Sequence, residues 1–248
     1  MPKKTEPILG ESSPVHIGFL MVPEYTLSTF ANAVAVLRMA NRQSGRELYR
    51  WSTLTLDGEP VTSSCNIELV FDGTLDSVDP VDIFMVCGGY NIEKHCSPEL
   101  LSLLRRKVSK KIPIGAVCTG TYALAAAGLL EGYRCTIHWE NLPSLREQFP
   151  RLLISSSLFV IDRDRYTCSG GISSIDLMLN LVSKIHGHPL VQEISEQFTY
   201  ERVRTEEDAQ RMPLQYLIGA NQPKLVGAVA LMEANIEEPL PLDEVAAY

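Results

Sequence analysis

The apolar and polar positions of the chain alternate between two periods. Val15-His-Ile-Gly-Phe-Leu-Met-Val22 is a short, nearly continuous apolar run, the pattern of a parallel strand covered on both faces. Pro23 and Glu24 break it. From Leu27 to about Gln43 the residues Phe30, Val34, Leu37 and Met39 recur near helical spacing, and Gly45 follows the predicted helix. Trp51 to Leu56 reads as a second strand closed by the Asp57-Gly58 turn, while residues 61–75 offer only short strand candidates. Asp82-Ile-Phe-Met-Val-Cys87 is another buried strand, ending in Gly88-Gly89. Ser97 caps a predicted helix that runs to about Ser109.

The next stretch, Ile112-Pro-Ile-Gly-Ala-Val-Cys-Thr-Gly-Thr121, ends an apolar run abruptly at Cys118 and continues as a helix-like segment to Leu130. Beyond it the pattern predicts a short strand from Arg134 to His138 and a helix from about Glu140 to Gln148. Leu152 to Ile154, Leu158 to Asp162 and Arg165 to Cys168 read as short strands, the last two a candidate hairpin around Arg163-Asp164. Gly170-Gly171 opens a helix whose Ile172, Ile175, Met178, Leu179 and Val182 form one stripe, and Pro189 starts another, to about Phe198. Alternating strands and helices predict an α/β fold, a mostly parallel sheet with helices on both faces.

From Thr199 the character changes. Arg202, Arg204, Glu206, Glu207 and Asp208 crowd a short stretch, and Asn221-Gln-Pro223 interrupts the chain. Lys224 to Asn235 forms an amphipathic helix with Leu225, Val229 and Met232 on one face. Another begins at Leu242. The expected division is a loose tail over 1–14, the α/β domain over 15–198, a linker over 199–223, and a short helical extension over 224–248 that opens a second domain.

Composition narrows the classes. With 45% hydrophobic and 21% charged residues, the 248-residue chain can bury a substantial core. Its formal net charge of -8 argues against polyanion binding by this chain itself. Six cysteines at irregular spacing read as reduced thiols in a cytoplasmic protein rather than a disulfide scaffold. No apolar run approaches the roughly 18 residues of a membrane span, and the N-terminal tail lacks the apolar core of a signal peptide.

The chemistry gathers at Cys118. A thiol on a sharp strand-to-helix turn, with Ala116 and Gly120 two residues to either side, has the layout of a nucleophile elbow. Gly88-Gly89 and the Thr119 N–H are candidates for an oxyanion hole, and His138 for a base beside the thiol. Cys135 and His138 lack the partners of a metal site, so no metal is expected. His186 and His188, around Gly187, are explained by a helix-ending turn. Tyr25, Phe30, Tyr90 and Trp139 offer aromatic faces and Glu140 a carboxylate, a mixture suited to a cationic ligand.

These residues resemble a family. Ala116-Val-Cys-Thr-Gly120, Ala127-Gly-Leu-Leu-Glu-Gly132, Thr136 with His138, and Ser169-Gly-Gly171 before Asp176-Leu-Met are similar to the ThiJ/PfpI, class I glutamine-amidotransferase-like superfamily. More closely, they resemble the sensor domains of GlxA-type AraC-family transcription regulators. Asn221-Gln-Pro-Lys-Leu225, Met232-Glu-Ala-Asn235 and Leu242-Asp-Glu-Val-Ala246 look like the entry to an AraC-type helix-turn-helix domain. Leu37-Arg-Met-Ala-Asn41, Leu48-Tyr-Arg-Trp51 and His138-Trp-Glu140 are similar to regulators of glycine betaine, carnitine and arginine catabolism.

The resemblance implies a flavodoxin-like fold and a non-catalytic sensor, most simply a homodimeric activator without cofactor. Its small-molecule effector would sit among Tyr25, Ser28, Phe30, Gly88, Gly89, Tyr90, Cys118, Thr119, His138, Trp139 and Glu140. DNA would be contacted by recognition helices beyond this chain. The family's enzymes carry a glutamate near the nucleophilic cysteine, and the corresponding position is read as Ser28, which cannot act as an acid. The alternative is a cysteine-dependent hydrolase, amidase or glyoxalase-like enzyme using Cys118 and His138.

Overall fold

The computed structural model describes residues 13–74, 76–210, 223–235 and 240–247. The chain divides into two compact units, Met1–Gln210 and Arg211–Tyr248. In the first unit, β1 (Val15–Met21), β2 (Tyr49–Leu54), β3 (Ile83–Cys87), β4 (Ile114–Val117), β7 (Phe159–Asp162) and β8 (Arg165–Cys168) form one sheet in the order β2-β1-β3-β4-β8-β7. All neighbours are parallel except β7 with β8. A separate parallel pair joins β5 (Arg134–Cys135) to β6 (Leu153–Ile154).

The apolar strands are explained by helices on both faces. Ile17, Phe19, Met21, Ile83 and Met85 belong to a core shared with α1 (Leu27–Ser44), α6 (Ser173–His186) and α7 (His188–Gln197). Leu20, Phe84, Val86 and Ile114 pack with α3 (Pro98–Ser109), α4 (Gly120–Ala126) and α5 (Leu142–Gln148) on the other face. Local signals set the helix ends. Gly45 closes α1 in the left-handed region at φ 64°, and the Ser97 hydroxyl accepts the Leu100 N–H at 3.2 Å at the start of α3.

Several expected boundaries move. The second strand is 49–54, two residues earlier than Trp51–Leu56. The strand expected to end at His138 stops at Cys135, and His138 precedes a 3-10 turn, Trp139–Asn141, which leads into α5. Residues 61–75 contribute bridges, Thr62 to Glu68 and Leu54 to Gly73, and no named strand among the described residues. A one-turn helix, α2 (Ile92–His95), was too short to announce itself by periodicity. In the second unit, α8 (Pro223–Ala234) and α9 (Leu242–Ala247) form as expected, with Leu225 and Met232 of the predicted apolar face still exposed.

The expected linker begins too early. Residues 199–210 pack on the first unit, and only residues 211–222 of that segment lie outside the described residues. The anchor is Asp176, buried on the first turn of α6. Its carboxylate accepts the Tyr200 hydroxyl at 2.9 Å and, from Arg204, the backbone N–H at 2.9 Å, Nε at 3.0 Å and Nη2 at 2.7 Å. The same strap covers the edge strand: Glu206 Oε1 accepts the Ile161 N–H at 2.9 Å, and the Asp208 carbonyl accepts the Leu158 N–H at 3.0 Å.

Removing one partner of a buried, hydrogen-bonded ion pair strands the other. Asp176→Ala is therefore expected to destabilise the protein by about 3–5 kcal/mol. Denaturant unfolding measures this, and a loss below about 1 kcal/mol would contradict the anchor role.

Asp208 is drawn from the ordinary 3.8 to about 2, first by its hydrogen bond from Arg202, then by the Thr205 N–H. Because the folded value is depressed, its contribution is complete above pH about 4 and is lost as pH falls through about 2. Hydrogen exchange at the Leu158 and Ile161 amides should show added opening across that window. The added step should be missing in Asp208→Asn.

Candidate effector site

The sheet order reverses direction beside β1, which puts a crevice outside the carboxyl ends of β1 and β3. An antiparallel bridge between Tyr25 and Gly89 ties the two strand ends together. The Thr26 N–H donates to the Gly88 carbonyl and the Tyr90 N–H to the Glu24 carbonyl, each at 3.1 Å. Cys118 follows β4, the next strand in the sheet, with φ 58°. A positive φ in a non-glycine residue is strained by about 1–3 kcal/mol and persists only where its surroundings enforce it.

Those surroundings are glycines. A Cβ at Gly88 would run into the Gly120 backbone, and one at Gly170, itself at φ 93°, would lie 2.9 Å from the Cys118 sulfur. The thiol is left nearly buried, at 6% exposure, on the floor of a 590 Å³ cleft.

Gly89, Tyr90, Cys118, Thr119, His138 and Glu140, six of the residues expected at the site, line this cleft together. The other five stand apart. Tyr25 is fully buried in the core, its hydroxyl has no hydrogen-bond partner among the described residues, and it forms the strand-end bridge rather than the cleft wall. Phe30 packs edge-on against Phe19 at 5.4 Å. The Gly88 N–H is spent on the Val117 carbonyl at 3.3 Å, which removes it from an oxyanion hole. The cleft lining passes from His138 to Glu140 and Asn141 without Trp139, whose ring lies 5.8 Å from that of His138.

Ser28 is exposed on α1, away from the thiol. The side chain that faces Cys118 is Thr26, with Oγ1 3.5 Å from Sγ. The residue after β1 that meets the thiol is therefore a threonine two positions before Ser28. Thr26 sits at the N-cap position of α1 without a side-chain cap hydrogen bond, and the pattern of apolar positions gives no sign that it turns toward another strand end. Asn91 and Lys94, on and before α2, were missed for the same reason as that helix.

Burial pushes the Cys118 thiol above its usual range. The Thr26 hydroxyl and the Thr119 N–H pull it partly back, and the Glu140 carboxylate adds to the rise. The Thr119 hydroxyl is committed to the Gly89 carbonyl at 2.6 Å. Glu24, the other acid near the strand ends, accepts Asn91 Nδ2 at 2.8 Å and His95 Nε2 at 3.1 Å, and those bonds hold it below the ordinary carboxylate range. His138 Nδ1 lies 3.7 Å from Glu140 Oε2. The site has the shape of a nucleophile elbow and a protonated thiol at neutral pH. Among the described residues, no group of three or more His, Cys, Asp or Glu side chains is placed to hold a metal ion, and no helix is long and apolar enough to cross a membrane.

A doubly wound sheet with a thiol elbow at its strand ends defines a class, and comparison with known proteins gives the family. The DJ-1/PfpI family profile matches residues 17–184, and the chain belongs to that family. Its relatives include the HTH-type transcriptional regulator GbdR of Pseudomonas aeruginosa (strain UCBPP-PA14), 50% identical over 236 residues, or 95% of this chain and 64% of that protein. The HTH-type transcriptional regulator CdhR of P. aeruginosa (strain PAO1) is 38% identical, covering 92% of this chain and 68% of that protein. The chain thus spans about two thirds of the length of these regulators. A crystal structure of an AraC family transcriptional regulator from Pseudomonas putida superposes with a TM-score of 0.68 at 29% identity, covering 75% of this chain and all of that one. The family also holds enzymes: isonitrile hydratase from P. putida is 28% identical over 75% of this chain and 78% of its own length.

The thiol chemistry is open to direct measurement. At pH 7.5, iodoacetamide should modify Cys118 more slowly than the exposed Cys65, since burial both disfavours the reactive thiolate and restricts access to it. Thr26→Val removes a hydrogen bond that favours the thiolate and should slow the reaction further. Fast alkylation persisting down to pH 6 would mean a stabilised thiolate and overturn this account.

Proposed function

We propose that this chain is the effector-sensing part of a helix-turn-helix transcription regulator, and that the Cys118 cleft binds a small nitrogenous metabolite such as a quaternary amine or a cationic amino acid. The observation that carries the reading is the contact at the thiol. Where a catalytic cysteine needs an acid or base, Cys118 meets the Thr26 hydroxyl in a setting that keeps it protonated. Named regulators among the relatives support the same reading. Glu140 and the exposed Tyr90 ring provide a carboxylate and an aromatic surface suited to a cation.

In the whole protein, effector binding would favour one arrangement of a homodimer and so activate transcription through the DNA-binding domain. A ligand does this only by binding two states with different affinity. Such a protein would work in the cytoplasm. The second reading, a cysteine hydrolase, amidase or glyoxalase-like enzyme, draws on His138 sharing the cleft with Cys118 and on the enzyme relative.

A thermal-shift screen separates the two. A ligand at a hundred times its Kd stabilises the folded state by about 2.7 kcal/mol, which raises Tm by roughly 5–10 °C in a domain of this size. Betaine, carnitine or arginine is expected to give such a shift without being consumed. Turnover of an amide or glyoxal that Cys118→Ala abolishes would establish the enzyme instead.

A further inference from the structure

The strap that follows α7 is fastened in two different ways. At Asp176 the fastening is ionic: the buried carboxylate holds the Tyr200 hydroxyl and the Arg204 backbone and guanidinium. At Gln210, the last residue of the first unit, it is neutral. The Gln210 Nε2 amide donates to the Ile137 carbonyl at 2.8 Å, to Thr136 Oγ1 at 2.9 Å and to the Ser157 carbonyl at 3.0 Å. Two hydrogens thus serve three acceptors, and the buried Oε1 of the same side chain has no hydrogen-bond partner among the described residues. Neutral bonds of this kind are weaker than charge-assisted ones, so Gln210 is the end of the strap that yields first.

What Gln210 holds is the base of a cleft wall. Ile137 immediately precedes His138, and His138 and Glu140 line the Cys118 cleft. Thr136 is buried and tied to three other segments. Its carbonyl accepts the Thr121 hydroxyl at 2.8 Å, its N–H donates to Thr167 Oγ1 at 3.0 Å, and its own hydroxyl donates to the Ser157 carbonyl at 2.8 Å. Thr121 stands on α4, three residues after Cys118. A polar chain therefore runs from the elbow helix through Thr136 to Gln210, and the next residue in sequence, Arg211, begins the second unit. A ligand that pushes on His138 or Glu140 moves the Ile137 carbonyl, and the Gln210 amide must follow it or let go. Either response reaches residue 211 through the chain itself.

We infer that Gln210 is a positioning residue for the His138–Glu140 wall, and the point at which the state of the cleft is passed to the chain entering the second unit. This assignment rests on the sensor reading for its purpose and deepens it by naming a route of regulation. The coupling itself is measurable with no effector present, and by linkage it runs both ways: what frees Gln210 loosens the wall, and what moves the wall changes the hold on Gln210.

Hydrogen exchange on the 1–248 chain tests both directions. Gln210→Met keeps the length of the side chain and removes its donors. The Thr136 and Asn141 amides, bonded to Thr167 Oγ1 and to the His138 carbonyl, should then exchange about tenfold faster, while the amides of β1 stay unchanged. In Gln210→Glu at pH 7.5 a carboxylate faces the Ile137 and Ser157 carbonyls, and the loss should be the same. The surrounding acceptors favour the protonated acid, which can donate again, so protection relative to wild type should return as the pH is lowered to 5. Gln210→Met should show no such return. A side chain that merely filled space would give neither the loss in Gln210→Met nor the recovery in Gln210→Glu. Exchange at Thr136 and Asn141 within about twofold of wild type in Gln210→Met, or no recovery in Gln210→Glu, would overturn the assignment. In the reverse direction, whichever of betaine, carnitine and arginine raises the melting temperature should alter exchange of the Gln210 amide, which donates to the Ser156 carbonyl at 3.3 Å, and should alter it less in Gln210→Met. Binding that leaves the Gln210 amide unchanged would remove the route and keep the sensor. No thermal shift with any of the three would count against the sensor, and exchange at Thr136 and Asn141 would still decide the coupling.

Discussion

Cys118 can turn the chain at φ 58° only because two other segments leave room for it. Gly88 at the end of β3 touches the Gly120 backbone at the start of α4, and Gly170 after β8 lies against the Cys118 side chain. The adjacent strands β3, β4 and β8 thus meet at one point, and a side chain at either glycine would push them apart. Close approach there lets the Thr119 hydroxyl reach the Gly89 carbonyl, and the Tyr25–Gly89 bridge extends the same junction to β1. The cleft is the space left above this junction. Its floor is held by this close, non-covalent packing at Gly88 and Gly170.

That rigidity is independent of the chemistry the floor supports. An elbow makes a thiol accessible from one side and strained, and neither property makes it a thiolate. A thiolate needs positive charge or hydrogen-bond donors enough to outweigh burial. At Cys118 two donors, Thr26 Oγ1 and the Thr119 N–H, act against burial and against the charge of Glu140, and burial is the largest of these effects. The same Glu140 that disfavours a thiolate would attract a cation. Conditions that silence the nucleophile and conditions that bind a positively charged ligand therefore coincide in this cleft.

Much of the fold was legible because its strands are covered on both sides. A strand between two helical layers must be apolar at every position, and the runs ending at Met21, Cys87 and Val117 have that signature. The elbow was legible because its small residues sit at fixed offsets from the thiol. What failed was structure decided by tertiary partners. Arg134 to His138 read as one short strand, yet Thr136 is held by hydrogen bonds to the Thr167 and Ser157 segments and the ladder ends at Cys135. The charged stretch after Thr199 looked like a linker. Its charges are instead consumed by Asp176, by the β7 edge, and by one another.

The site followed the same division. Cys118, Thr119, Gly89 and Tyr90 could be placed because they terminate strands, and a parallel sheet brings strand ends together whatever their side chains do. Tyr25 is the instructive exception: it too follows a strand, but the bridge to Gly89 leaves its ring fully buried in the core. Register decides which of two neighbouring residues faces the cleft, and at the first strand it chose Thr26. Here the sequence-based assignment of Ser28 and the structure disagree by two positions, while the chemical conclusion is the same, because both positions offer a hydroxyl where a carboxylate would be needed. The segment after β1 thus brings no carboxylate to the thiol whichever position is aligned: among residues 25–30, Tyr25, Thr26, Leu27, Ser28, Thr29 and Phe30, none carries one, and Glu140 is the carboxylate whose field reaches Cys118.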